Sequence, residues 1–266
     1  MKTLEFVRDK RGIATVRLER PEKRNALSGE MISELDAVAS RLSRDSAVRA
    51  VVISGGGSSF CAGADLDWMR RQFDASPEEK KREAMRLALM LKRWNELPKP
   101  VIARVHGSAF GGGLGLIAVS DISVAAKDAK FAFSEARLGL IPATISPYVA
   151  MRMGESNLRR VFLSARTFGA EEAAELKLVS RVVEKAEIDD AVEDEILPIL
   201  ACAPGAVARS KQLLRSLGSN IDEGVVEDTA NRLAECWNSE ESIEGISAFF
   251  EKRRPSWTTA RFDAIE

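Results

Sequence analysis

Two short apolar runs, Ala50-Val51-Val52-Ile53 and Val101-Ile102-Ala103-Arg104-Val105, constrain the fold of this chain more than any other feature. Both suit buried strands. Both lead into loops of small residues that open helical patterns, SGGGSSFCAGAD after the first and HGSAFGGGLGL after the second. Strands alternating with helices favour stacked α/β layers. Ahead of them, Leu4, Phe6, Thr15, Val16 and Leu18 alternate with polar residues around Asp9-Lys10-Arg11-Gly12, as in a hairpin. Ser28 precedes a 3.6-period stripe of Met31, Ile32, Leu35, Val38, Ala39 and Leu42. A second long helix, 78–97, stops at Pro98 and Pro100, and 121–126 and 131–133 read as further short strands. After about Ile188 amphipathic helices take over. The expected organisation is a core of residues 1–200 and a helical segment of residues 201–266.

The chemistry available to such a chain is narrow. His106 is the single histidine, so any Ser-His-Asp or Cys-His nucleophile system has to use it, and a multi-histidine metal site is impossible. Cys61, Cys202 and Cys236 are too few and scattered for a disulfide framework or a zinc site, so no metal is expected. Lys plus Arg number 39 and Asp plus Glu 40, which is not the basic footprint of a nucleic-acid binder. No 18-residue apolar run suggests a membrane span, and the N-terminus has no signal-like apolar stretch; the expected location is cytoplasmic. Catalysis therefore falls to carboxylates, backbone donors or a borrowed cofactor.

Gly113-Leu114-Gly115-Leu116-Ile117-Ala118 matches the dinucleotide pattern G-x-G-x-x-A, with Glu135 about twenty residues on. Against it, GSAFGG separates the match from its strand, where a dinucleotide turn follows tightly. Another reading joins AGAD to GSAFGGG. Both segments follow strands and open helices, so both can offer backbone N–H groups, and two donors aimed at one oxygen make an oxyanion hole. Such a hole suits a thioester enolate, whose charge develops on the carbonyl oxygen.

Landmarks along nearly the whole chain carry a resemblance: RPEKRNALS, FCAGADL, VIARVHGSAFGGGLGL, DISVAAKDAKFAFSEARLGLIP, LVSRVV and SAFFEKRRPSW. The sequence resembles the enoyl-CoA hydratase/isomerase (crotonase) family. Through FGGGLGL and SEARLGLIPATISPY it is most similar to bacterial methylglutaconyl-CoA hydratases. The resemblance implies an α/β crotonase fold, a spiral of ββα units with a C-terminal helical trimerisation segment. It implies a homotrimer or dimer of trimers, and an acyl-CoA substrate of which coenzyme A is a part rather than a cofactor.

Carried over residue by residue, the resemblance makes the N–H groups of Ala64 and Gly112 the oxyanion donors and Glu135 the acid–base. A second glutamate typical of the hydratases falls at Gly115 and is missing, so either Glu135 moves both protons of a hydration or the protein is a double-bond isomerase. A non-catalytic CoA-binding scaffold is the rival outside enzymology. Ala143-Thr144-Ile145-Ser146 replaces the Gly-rich run usual after Pro142, a departure shared with the methylglutaconyl enzymes. Trp68, Met69, Pro142 and Ala143 are expected around the acyl group, and Arg137 or Arg152 against a distal substrate carboxylate. Coenzyme A is expected near Lys23, Arg24, Ala26, Ala62 and Leu66, and near Phe249 and Lys252 from the tail of another subunit. Asp67 stands where a lysine often follows. His106 and Cys61 are expected to pack rather than react.

Overall fold

The computed structural model describes residues 1–218 and 220–258; the end of the tail segment, 259–266, lies outside them. Strands β1 (Leu4–Arg8) and β2 (Ile13–Leu18) form the expected hairpin, closed by the Asp9 carboxylate, which accepts from the N–H groups of Arg11 and Ile13 at 2.9 Å each. Helix α1 (Gly29–Arg44) starts at Ser28, whose hydroxyl accepts from the Met31 N–H and satisfies a donor of the first turn.

From there the chain repeats one motif. Strand β3 (Ala50–Gly55) enters a large sheet and β4 (Ser59–Cys61) enters a small one, before helices α2 (Leu66–Asp74) and α3 (Pro77–Asn95). The next turn places β5 (Val101–Val105) in the large sheet and β6 (Ser108–Phe110) in the small, then α4 (Gly112–Ala118). A third places β7 (Ile122–Ala126) and β8 (Lys130–Ala132) likewise. A 3-10 turn (Glu135–Leu138), α5 (Ser146–Met153) and α6 (Glu155–Phe162) follow, then β9 (Phe168–Gly169), α7 (Ala170–Glu175) and β10 (Arg181–Val183). The large sheet runs β1-β2-β3-β5-β7-β10, parallel except for the β1–β2 pair. The small one runs β4-β6-β8-β9, with β9 antiparallel. This is the expected spiral of ββα units.

Both faces of the large sheet are covered, which is why its strands read as continuous apolar runs. Side chains alternate along β3: Val51 and Ile53 join the main core with α1 and α3, while Ala50 and Val52 face Ile188, Ala191, Val192 and Ile196 of α8 (Ile188–Leu200). The N-terminal landmark is held by Asn25, fully buried with φ 56. Its Nδ2 donates to the carbonyls of Gly56 and Ser59 at 2.8 Å each, and its Oδ1 accepts from the Arg20 N–H at 2.9 Å. Asn25→Ala strands these groups without partners and should lower stability by on the order of 3 kcal/mol. A fall in urea midpoint at unchanged m-value checks it.

The tail continues through α9 (Pro204–Leu217), α10 (Glu223–Cys236) and α11 (Glu240–Phe250). Helix α10 packs on α3 of the same chain and α11 on the 3-10 turn. Leu233, Trp237 and Ile246 bury against Trp68 and Met69, with Trp68 and Trp237 meeting edge to face at 6.2 Å. Lys80, 7% exposed, reinforces the join by donating to Asn238 Oδ1 at 2.8 Å and to the Trp237 carbonyl at 3.4 Å.

Candidate active site

Two loops meet at one end of the small sheet. In the first, the Leu27 N–H donates to the Gly63 carbonyl at 2.7 Å and the Asp65 N–H to the Leu27 carbonyl at 3.1 Å, a parallel bridge with Ala64 between the bonds. A bridge of this kind turns the N–H of the intervening residue away from its partner strand, so the Ala64 donor is left for the cavity it lines. Asp65 fixes the exit from the loop. It caps α2 by accepting from the Trp68 N–H at 3.0 Å and pairs with Arg20 at 2.9 Å, both inside the protein.

In the second loop, the Gly111 N–H donates to the Ala132 carbonyl at 3.0 Å, which ties the start of α4 to β8. Gly111 has φ 48 and ψ −118, a backbone conformation that only glycine adopts readily. Gly112 then opens α4, and its N–H belongs to the first turn, which has no intrahelical acceptor. Neither Ala64 nor Gly112 donates its N–H to an acceptor among the described residues. Both line one cavity of ≈ 460 Å³.

The 3-10 turn brings Glu135 to this point. A Cβ on Gly111 would stand 2.9 Å from Glu135 Oε1, so glycine there also makes room for the carboxylate. Oε2 is buried and has no hydrogen-bond partner among the described residues. Burial pushes the carboxyl up to about 7, against a lowering bond from its own backbone N–H. A carboxyl that titrates near neutrality beside two unpartnered N–H donors can move a proton next to a developing enolate. The sequence-expected trio, Ala64, Gly112 and Glu135, thus lines one site.

Gly115 does not. It lies inside α4, and a Cβ on it would stand 2.5 Å from Ile145 Cγ2 and 3.4 Å from Leu91 Cδ2. Ile145, 2% exposed, fills the recess and itself lines the cavity. The missing side chain at 115 and the altered loop after Pro142 are therefore one substitution: Ile145 occupies the volume that a longer residue 115 would need. Gly113 likewise sits against Cys61, its Cβ position 2.7 Å from the Cys61 carbonyl. The glycines of the G-x-G-x-x-A match serve packing within a helix, not a strand-to-helix turn around a pyrophosphate.

Trp68, Met69 and Pro142 line the cavity as expected, with Thr144 and Ile145 beside them. Ala143 does not; it is buried in the cluster of Trp68, Met69 and Leu140, so its neighbours form the wall. Arg152 is also elsewhere. It is a half-buried residue outside the cavity lining, spent on the carbonyls of Ser120 and Leu178 and the hydroxyls of Ser123 and Ser180, so it does not meet a substrate carboxylate there. Arg137, exposed, does line the cavity and has no ion pair among the described residues.

Of the expected coenzyme A residues, Ala62, Leu66 and Phe249 line the cavity. The Phe249 that lines it belongs to the same chain, because α10 and α11 fold back over α2 and α3. Lys23 and Arg24 are exposed outside it. Lys23 pairs with Asp67 at 3.2 Å, and the Arg24 carbonyl accepts from the Ala62 N–H. Ala26 is buried with its carbonyl on Arg20, and Lys252 is exposed just after α11.

His106 packs, with Nε2 at 2.9 Å from the Gly57 carbonyl, and burial lowers its pKa. Cys61 is enclosed, and burial pushes its thiol up to about 12, away from reactivity. Sequence reasoning gave no site role to Leu27 or Trp237. RPEKRNALS marked the first only as a landmark, and the second read only as part of an amphipathic helix.

Comparison with known proteins agrees with this geometry. The family model for enoyl-CoA hydratase/isomerase matches residues 8–260. A short-chain-enoyl-CoA hydratase of Clostridium acetobutylicum is 32% identical, covering 91% of this chain and 92% of its own. A 1,2-epoxyphenylacetyl-CoA isomerase of Escherichia coli is 31% identical over 96% and 99%. The crystal structure of an enoyl-CoA hydratase from Shewanella pealeana superposes with a TM-score of 0.79 at 40% identity, covering 96% of each chain. With the fold, the paired backbone donors and the buried glutamate in place, this chain belongs to the enoyl-CoA hydratase/isomerase family and is an enzyme of that family.

Proposed function

We propose that the enzyme catalyses reversible hydration of an α,β-unsaturated acyl-CoA through a thioester enolate, with Glu135 as its single acid–base. The observation that carries this reading is the buried Glu135 carboxylate, pushed up to about 7 and set against Gly111 beside the Ala64 and Gly112 donors. The thioester oxygen accepts from the two N–H groups. Glu135 takes a proton from water as the oxygen attacks C3, the C2–C3 electron pair moves into the enolate, and Glu135 returns the proton to C2 on the same face. The hole is in place before charge develops, so it stabilises the enolate without reorganising.

Double-bond isomerisation is the second reading, favoured by the same lone carboxylate, which suffices to carry a proton between carbons. Incubation with crotonyl-CoA, 3-methylglutaconyl-CoA and a 3-enoyl-CoA, followed by mass spectrometry, separates them. Hydration adds one water to the mass and isomerisation leaves it unchanged.

A 3-methylglutaconyl-type ester is the finer assignment. Its support is the Pro142-Ala143-Thr144-Ile145-Ser146-Pro147-Tyr148 segment and Arg137, which with Glu135 supplies the charged side chains of the lining. The coenzyme A portion is assigned to the surface near Lys23, Arg24, Ala26, Ala62, Leu66 and Lys252. Asp67 holds the Lys23 ammonium in an exposed pair, so Asp67→Asn should release that charge and lower KM for acyl-CoA esters a few-fold at low salt, with the gain fading as salt rises. An unchanged or raised KM removes Lys23 from the binding surface.

A homotrimer or dimer of trimers is the proposed assembly, supported by Leu213, Leu214 and Leu217, which α9 leaves exposed. A monomer by light scattering at micromolar concentration contradicts it. The proposed location is cytoplasmic; no helix among the described residues is long and apolar enough to cross a membrane.

A further inference from the structure

A water that attacks carbon must present a lone pair to it, so both of its protons need acceptors. In an apolar cavity a water with a single partner is not held. Glu135 is one acceptor. The two backbone N–H groups belong to the thioester oxygen, and they, the Arg137 guanidinium and the Trp237 indole can only donate. Thr167 lines the cavity as an exposed residue and Ser134 as a half-buried one. One hydroxyl-bearing residue of the lining is buried.

Thr144 is 4% exposed and lines the cavity. Its hydroxyl has no hydrogen-bond partner among the described residues, yet it is not among the sealed, unpartnered atoms, so its remaining accessible surface faces the cavity. The segment carrying it is rigid. Ile145 is locked into the recess at Gly115, the Ser146 hydroxyl donates to the Ala143 carbonyl at 2.6 Å, and the Ala143 N–H donates to the Ile141 carbonyl at 2.8 Å. A β-branched side chain on such a segment keeps its rotamer.

We propose that the Thr144 hydroxyl accepts the second proton of the attacking water, making Thr144 the water-positioning residue of a site that has one carboxylate. The proposal rests on the hydratase reading above. Glu135 takes one proton of the water, Thr144 holds the other, and that proton stays with the oxygen as the new C3 hydroxyl. Ile145 has a coupled part: by sealing the face of α4 it leaves Thr144 as the polar group on that wall.

The test compares Thr144→Val, which keeps the shape and deletes the hydroxyl, with Thr144→Ser, which keeps the hydroxyl. Native folding is verified by thermal melting, and Thr144→Ala replaces the valine variant if that one fails to fold. Hydration of crotonyl-CoA and 3-methylglutaconyl-CoA is followed by product mass. Thr144→Val is expected to lower kcat about 10- to 100-fold, as for loss of one buried hydrogen bond in a transition state. KM should stay within about twofold, the acid limb near pH 7 should persist, and Thr144→Ser should recover most of the rate. Hydration by Thr144→Val at the parent rate overturns the proposal, as does a serine variant that falls as far as the valine one. An unaltered enzyme that converts the esters only without change in mass overturns the hydratase reading, and this role with it.

Discussion

Glu135→Gln is expected to lower kcat by about 10²–10⁴-fold, the usual contribution of a positioned acid–base group, while CoA binding and the fold persist. Glutamine keeps the shape of the side chain beside Gly111 but cannot exchange a proton. In the unaltered enzyme the ionised carboxylate is the working form, so kcat/KM should rise with pH through an acid limb near 7 and level off above it. In the variant that limb disappears.

The same substitution should affect stability in the opposite direction. Burial raises the Glu135 pKa from 4.5 to about 7, so the folded protein binds more protons than the unfolded chain between those values. The stabilisation is complete below about pH 4.5 and is lost as pH rises through about 7. At pH 8 the enzyme carries a buried unpaired carboxylate, and Glu135→Gln relieves it by on the order of 1–3 kcal/mol. Thermal melts at pH 5 and pH 8 check this: the variant's advantage in Tm should appear at pH 8 and shrink at pH 5. A variant with near-parental turnover on a confirmed substrate shows that Glu135 is not the acid–base and overturns the proposed mechanism.

The second large effect belongs to Gly115→Glu. A Cβ at that position overlaps Ile145 Cγ2 at 2.5 Å, and the carboxylate beyond it enters a packed, apolar recess. The expected loss of stability is about 2–5 kcal/mol, combining overpacking with burial of a charge. Ile145→Gly removes the obstructing side chain. A double-mutant cycle over the two positions should therefore show coupling of at least about 1 kcal/mol, with the pair more stable than the sum of single losses. The pair is also the variant in which a second carboxylate can reach the cavity, and hydration of crotonyl-CoA should be higher in it than in Gly115→Glu alone. A single variant as stable as its parent contradicts the filled recess.

Much of this site was legible in the sequence because its key donors are backbone groups fixed by local pattern. A strand, a run of small residues and a helix start define where an N–H is left over, and AGAD and GSAFGGG each spell that out. Glu135 was placed by the family resemblance that FSEARLGLIP carries rather than by a local pattern. Three things were not legible, each for a physical reason. Gly115 read only as the place of a missing glutamate, because sequence does not say which distant side chain fills a gap, and Ile145 fills this one. Arg152 looked available for a carboxylate, yet its guanidinium makes four hydrogen bonds to carbonyls and hydroxyls that converge only in three dimensions. The tail read as a trimerisation segment, which did not reveal that its apolar stripe closes on Trp68 and Met69 of the same chain and sets Trp237 and Phe249 into the cavity wall. Long-range packing decides all three.

The most direct measurement is the stereochemistry of addition in deuterated water. Crotonyl-CoA or 3-methylglutaconyl-CoA is converted in D₂O and the relative placement of the C3 hydroxyl and the C2 deuterium is read by NMR. One carboxylate that both takes the water proton and delivers a proton to C2 works on a single face of the substrate, so syn addition is expected, and it should vanish with Glu135→Gln. Anti addition requires a second acid on the face opposite Glu135, whereas Glu135 is the one carboxylate in the cavity lining among the described residues, so anti addition would contradict the single-glutamate mechanism.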